Sequence, residues 1–160
     1  MRANLTGETA HTYSGSGVFV EESRAFGQKP GFSIASDAEG ASLSIIRLNG
    51  DRPSAGRYAL DWIDPADPRA TGFILIYRQH AGNWLYTYAS TGGELTIEES
   101  SREAVRGSFR LKAVQYCASD RTGAQIGPCR ITPTPLENSP TLDVTGTFSV
   151  VREDSELIDA

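Results

Sequence analysis

Residues 105–113 read VRGSFRLKA, and in this stretch small or apolar residues alternate strictly with charged or hydroxyl-bearing ones. Residues 142–150, LDVTGTFSV, repeat the pattern. Because successive side chains of a β-strand point to opposite faces, each stretch has one dry face and one wet face. Burial on one side is typical of antiparallel sheets, so these two segments predict an all-β, antiparallel fold.

Eight other segments combine β-forming residues with flanking turn residues and are predicted to be strands: Tyr13–Val20, Gly31–Ser36, Ala41–Leu48, Gly56–Trp62, Gly72–Gln79, Trp84–Ser90, Glu94–Glu99 and Cys129–Thr132. The chain would then have about ten strands, spaced as in a β-sandwich or a strongly curved β-barrel. We expect helix only as one short turn around Ser100–Glu103. The predicted organisation is a polar N-terminal tail at 1–11, a single β domain at 12–151 and an acidic C-terminal tail at 152–160.

Glycine and an aromatic residue recur two positions apart. The four occurrences are Gly17/Phe19, Gly56/Tyr58, Gly107/Phe109 and Gly146/Phe148. Residues two apart share one face of a strand, so each glycine makes room for a ring on the inner face or allows sharp coiling. The motif predicts a strongly curved sheet whose buried face includes Phe19, Tyr58, Leu60, Phe109, Leu111, Val144, Phe148 and Val150.

These motifs also carry a resemblance. The chain has Gly-x-Phe in its first predicted strand, Pro-x-x-Gly-x-Tyr at 53–58, GGELTI at 92–97, VRGSF at 105–109 and a closing VTGTFSV at 144–150. It resembles a broad group of uncharacterised bacterial exported β-domains, often lipoproteins, that end on a Gly-Thr-Phe strand. The resemblance implies an exported β-domain and brings no established catalytic residues.

Charge and hydropathy exclude two classes of protein. The 160-residue chain has a formal net charge of −5, and a nucleic-acid binder needs a basic face to neutralise phosphates. No apolar run reaches the roughly 18 residues of a transmembrane helix, so the chain is not expected to span a membrane. No leader is visible at the N-terminus. The chain is therefore either cytosolic or a mature form whose leader, with or without a lipid anchor, is missing.

The two cysteines favour the exported alternative. Cys117 and Cys129 flank a polar segment that reads as a hairpin connection, and a disulfide across its base would persist in the periplasm, at the cell surface or in the medium. The alternatives are two free thiols or half of a metal site. A zinc site needs more ligands than this pair supplies.

No convergent catalytic set is present. The two histidines, His11 and His80, are far apart in sequence and belong to no metal-binding or triad motif. The chain is accordingly predicted not to be an enzyme and to need no cofactor. A hydrolase that uses a carboxylate pair is the alternative, because sequence alone does not show which carboxylates meet.

Two side-chain groups could bind ligands. Asp61, Asp64 and Asp67 recur every three residues in a Pro-rich loop and could supply oxygen ligands to Ca²⁺, but turn formation is the favoured explanation and no metal is predicted. Trp84, Tyr86 and Tyr88 share one face of a predicted strand, with Tyr77 on the preceding one. If these side chains point into the fold, they belong to the hydrophobic core. A position at a barrel mouth would make them a platform for a sugar ring or an apolar ligand.

The prediction for function is a non-enzymatic exported domain with a structural or protein-binding role, accessory to a cell-envelope assembly. The alternative is a small-ligand or glycan binder built on the Trp84 strand. Leu157 and Ile158, two apolar residues in an acidic segment, are the predicted contact with an envelope protein.

Overall fold

The computed structural model describes residues 1–7, 10–23, 31–65 and 67–153. It is all-β, with 68% of these described residues in strands, and the 11 strands form one mixed sheet. The strands are β1 (Arg2–Gly7), β2 (His11–Ser14), β3 (Ser16–Ser23), β4 (Gly31–Ala38), β5 (Ala41–Leu48), β6 (Gly56–Ala59), β7 (Gly72–Ala81), β8 (Trp84–Ser100), β9 (Ala104–Asp120), β10 (Gln125–Ile126) and β11 (Thr141–Arg152).

The sheet closes on itself. Strands follow the order β9-β8-β7-β5-β4-β3-β11, and β11 pairs again with β9, which completes a ring of seven strands. The pairs around the ring are antiparallel except β3 and β11, which run parallel at Val18/Val151 and Phe19/Arg152. This parallel pair departs from the predicted antiparallel sheet. It follows from the odd number of strands, because seven alternating directions cannot close without one parallel contact.

The predicted N-terminal tail contains a strand. Leu5 and Ala3 of β1 are buried while their neighbours Asn4 and Thr6 are exposed, and β1 pairs with β11 from Leu142 to Thr147. The tail expectation for this part of the chain was wrong. The alternation is short, and Ala3 contributes little hydrophobic signal, so it was missed.

Two other predicted elements differ. The expected helical turn at Ser100–Glu103 is a connection in which the Ser101 hydroxyl accepts the backbone N–H groups of Ala104 (3.0 Å) and Glu103 (3.3 Å), so the described ranges contain no helix. The segment Cys129–Thr132 is irregular, not a strand. The short strand instead lies at Gln125–Ile126, where it pairs with β9.

The ring interior confirms two of the four glycine-aromatic occurrences, those on β9 and β11. In the register of β9 and β11, Gly107 lies opposite Phe148 and Phe109 lies opposite Gly146. A methyl group at Gly146 would collide with the Phe109 ring, and one at Gly107 would meet the Phe148 ring at 2.9 Å. Each glycine thus makes room for the phenylalanine of the other strand, and the two rings stack with centroids 6.3 Å apart.

Seven of the eight residues predicted to be buried are inside the ring. The exception is Tyr58, which is half-buried. It lies on short strand β6, where its ring contacts Phe73 (centroids 5.1 Å apart) and the Arg47 guanidinium stands 5.9 Å from its centroid. Tyr58 therefore covers the edge of the core instead of filling it.

A second apolar cluster lies on the outside of the ring. Side chains on the outer face of β5, β7 and β8 (Ile46, Ile74, Ile76 and Ala89) pack with Tyr116, Ile131, Trp62 and Leu136. Residues 127–140, which we call the strap, connect β10 to β11 and cross this face. The strap is held by the Trp62 indole N–H, which donates to the Thr132 carbonyl (2.6 Å), and by the predicted Cys117–Cys129 disulfide.

Reduction of the disulfide is expected to loosen the strap and leave the ring folded. A cross-link between residues 12 apart in sequence stabilises by about 3 kcal/mol in the chain-entropy model, while the interior cluster does not depend on it. Chemical denaturation of oxidised and reduced protein should show a loss of about that size, with an unchanged far-UV spectrum. The Cys117→Ser/Cys129→Ser variant should match the reduced protein. Loss of the β spectrum on reduction would show that the ring depends on the strap.

Candidate functional site

The aromatic strand faces the interior of the ring. Tyr88 pairs with Tyr77, Tyr86 with Gln79, and Trp84 with Ala81, so these residues share one face of β7 and β8. Tyr77 belongs to the interior core and Tyr88 packs against it. The row therefore starts in the core and runs to the β7–β8 turn, where Trp84 and Tyr86 are half-buried. Its inner end is core, which is one of the two predicted orientations, and the ligand platform stays a prediction.

The other face of this hairpin is covered by the chain itself. Thr87 and Ala89 are buried, and Ala89 belongs to the outer cluster beneath the strap. The interior end of the row is thus held between two packed layers. Tyr77 is fully buried, and Trp84, Tyr86 and Tyr88 are each half-buried.

Three tyrosines meet at the inner end of the row. Tyr13, on β2, contacts Tyr77 edge to face with centroids 6.3 Å apart, and Tyr77 contacts Tyr88 at 6.2 Å. We call Tyr13, Tyr77 and Tyr88 the tyrosine cluster. Among the described strands β2 pairs only with β1. The Tyr13 hydroxyl instead reaches β4, where it donates to the Ser36 hydroxyl (2.8 Å).

The Tyr77 hydroxyl is the chemically unusual atom of the cluster. Its side chain is fully buried, and its oxygen has no hydrogen-bond partner among the described residues. A buried unpaired hydroxyl costs about 1–3 kcal/mol, so a group that satisfies it would be favoured. Burial, with smaller effects of Tyr88 and Tyr13, raises the pKa of Tyr77 to about 12. Burial also raises the pKa of Tyr13. Near neutral pH both phenols are therefore protonated and able to donate.

The aspartate loop uses one of its carboxylates in its own turn. Asp67 accepts the backbone N–H of Arg69 (2.9 Å) and lies 3.6 Å from the Arg69 guanidinium. Within the described ranges no group of three or more His, Cys, Asp or Glu side chains is placed to hold a metal ion. Asp61, Asp64 and Asp67 are thus not gathered into a ligand set.

The predicted partner contact, Leu157 and Ile158, lies outside the described residues and stays a prediction. The four residues of the predicted aromatic platform lie on β7 and β8, which belong to the ring. The sequence pattern did not predict that Tyr13 and Ser36 form a hydrogen bond near Tyr77. The strands that carry these two residues come together with β7 and β8 only through ring closure, which no local pattern reveals.

Comparison of the chain with protein-family models, with curated proteins and with solved structures found no match. No helix in the described part of the chain is long and apolar enough to cross a membrane.

Tyr77→Phe is expected to keep or increase stability at pH 7, because it removes an unpaired buried oxygen and leaves the ring in place. Tyr13→Phe, the same chemical change, breaks a buried hydrogen bond and should cost about 1 kcal/mol. Urea denaturation of both variants measures the difference. Equal losses would show that the Tyr77 hydroxyl has a partner.

The same pair of variants predicts a pH dependence. A tyrosine whose pKa is higher in the folded than in the unfolded state contributes stability that is complete below the unfolded value of 10.0 and is lost as the pH rises towards about 12. Wild-type stability should therefore fall across this window, and Tyr77→Phe should fall less. Parallel alkaline curves for the two proteins would contradict burial of an ionisable Tyr77.

Proposed function

We propose that this chain is a non-enzymatic binding domain that takes a small, mainly apolar ligand bearing a hydrogen-bond acceptor at the tyrosine cluster. The observation that carries this proposal is the Tyr77 hydroxyl, which is buried without a hydrogen-bond partner among the described residues and lies beside a row of half-buried aromatic side chains on β8. The mouths of β-barrels are common sites for small ligands.

The chemistry of the row supports this ligand class. Aromatic side chains offer apolar faces and edges to a flat ligand, and protonated phenols donate hydrogen bonds to a carbonyl or ether oxygen. Trp84 and Tyr86 would contact the ligand first, near the turn. The ligand's acceptor oxygen would then accept a hydrogen bond from the Tyr77 hydroxyl. This bond would offset the free-energy cost of leaving that hydroxyl buried and unpaired. This role needs no nucleophile, base or metal.

We also propose that the domain works outside the cytoplasm, in the periplasm, at a cell surface or in the medium. The Cys117–Cys129 disulfide supports this, because such bonds persist in oxidising compartments. A lipid anchor on a leader and an accessory role in an envelope assembly are compatible with this location.

The test uses two probes of nearly the same shape, acetophenone and α-methylstyrene, which differ by a carbonyl oxygen in place of a methylene group. Backbone amide resonances of isotope-labelled protein should shift on strands β2, β7 and β8 when acetophenone is added. The Tyr77→Phe variant should bind acetophenone about five- to ten-fold more weakly, which is the equivalent of one lost hydrogen bond. The affinity for α-methylstyrene should be unchanged or improved.

Tyr116→Phe is the matched control, since it removes a tyrosine hydroxyl from the outer cluster. It should leave both affinities as they are in the wild type. If neither probe shifts the cluster, or if Tyr77→Phe affects both probes equally, the proposed function is wrong.

A further inference from the structure

A hollow on the outer face of the sheet combines two arginines with hydroxyl and amide groups. It has a volume of about 430 Å³ and lies over β9, β11, β1 and β2, away from the ring interior. We call it the arginine hollow and define it by the polar side chains that line it: Arg2, Asn4, Thr12, Arg110, Thr145 and Thr147.

The strand register places these side chains on one face. Arg110 lies opposite Thr145, which lies opposite Asn4, and Asn4 lies opposite Thr12. Arg2 lies opposite Thr147, two residues along β11 from Thr145. The backbones that carry the two arginines are separated by β11 alone, which is about 10 Å across the sheet. Two extended arginine side chains, one from each side of β11, can cover this distance. The two guanidinium groups can therefore contact one anion above the threonines.

The hollow is electrostatically unlike the rest of the protein. The chain has 20 acidic residues and a net charge of −5, yet none of the described carboxylates lines the hollow. Neighbouring cations on the same strands have partners: Lys112 lies 3.4 Å from Asp143, and Arg106 lies 3.5 Å from Glu98. Within the described ranges neither Arg2 nor Arg110 forms an ion pair, although Glu94 lies opposite Arg110 on β8 and is 3.9 Å from Arg57. Two guanidinium groups without an ion-pair partner fit an anionic ligand, which they can bind through charge-assisted hydrogen bonds.

A larger groove continues from the hollow. It has a volume of about 930 Å³, shares Arg110 and Thr145 with the hollow and extends over β8. Its polar lining includes Thr96, Ser108, Glu94 and the ion pair of Lys112 with Asp143. Carboxylates accept hydrogen bonds from neutral hydroxyl groups but repel a uniformly charged chain such as a nucleic acid. The groove thus fits a ligand with one anionic end and a polyhydroxyl body.

We propose that the arginine hollow binds the carboxylate of an acidic saccharide, with the rest of the saccharide lying along the groove over β8 and β9. Arg2 and Arg110 hold the carboxylate, while Thr145, Thr147 and Asn4 bond to the ring hydroxyls of the acidic sugar. This site is separate from the tyrosine cluster and does not depend on the function proposed for it.

Isothermal titration of the intact chain with cellobiouronic acid, a glucuronate–glucose disaccharide, tests the proposal. Its neutral counterpart cellobiose, inorganic phosphate and a short single-stranded oligonucleotide are titrated in parallel. Cellobiouronic acid should bind most tightly, and Arg110→Gln or Arg2→Gln should each weaken it by about ten-fold or more. Arg69→Gln, which changes the net charge equally on a highly exposed loop residue, should stay within about two-fold of the wild type.

Several results would overturn the proposal. Equal binding of cellobiose would show that the arginines play no part, and equal binding of phosphate would show an anion site without selectivity for sugars. Tighter binding of the oligonucleotide, or no binding of any probe, would also contradict it. Unchanged melting temperatures of the arginine variants exclude misfolding as the cause of a lost affinity.

Discussion

The fold depends on the reciprocal contact between two glycines and two phenylalanines where the ring closes. Gly107 faces Phe148 across β9 and β11, and Gly146 faces Phe109 in the same pair of strands. Without side chains at the glycine positions, the rings lie close to the opposing backbone and to each other. This arrangement lets two long strands coil sharply while the interior stays filled. The ring of strands can then close, because β11 pairs with β9 along one edge and with β3 along the other.

Several features are consequences of that closure. The ring has seven strands, so one contact must be parallel, and this contact is short. The edge of β11 that does not face β9 pairs mostly with β1, and β2 pairs with the other edge of β1. Tyr13 is thereby carried to Tyr77 and Ser36. The tyrosine cluster thus exists because the ring is completed by an added hairpin at this end, and the arginine hollow lies on the outer face of the same added strands.

The amino-acid pattern predicts what is local. The bounds of β5, the alternation along β9 and β11, the glycine-phenylalanine contacts of those two strands and the disulfide were predicted correctly, because each depends on residues near in sequence or on a strict period. Gly56 and Tyr58 were predicted to share the buried face, but Gly56 is exposed and Tyr58 is half-buried. The pattern predicts two separate strands, Trp84–Ser90 and Glu94–Glu99, whereas β8 is continuous from Trp84 to Ser100. Gly92 and Gly93 lie within it, at a register shift after Ser90, because a bulge and a turn use the same residue types.

What depends on distant pairing could not be predicted. The inward direction of Trp84 required the register between β7 and β8, and the meeting of Tyr13 with Tyr77 required the closed ring. Arg2 and Arg110 are on one face only because β1, read as a tail, is a strand beside β11. The predicted protein contact through Leu157 and Ile158 gained no support, because it lies outside the described residues.

The most direct test of this account is the free energy of unfolding of Gly146→Ala beside Gly92→Ala. A methyl group at position 146 meets the Phe109 ring and, at 2.5 Å, the Arg2 carbonyl oxygen, whereas at position 92 it meets nothing within 4 Å. The account predicts that Gly146→Ala loses about 1–3 kcal/mol or more by overpacking and that Gly92→Ala is as stable as the wild type. Equal stability of the two variants would contradict the claim that ring closure depends on the glycine-phenylalanine contact.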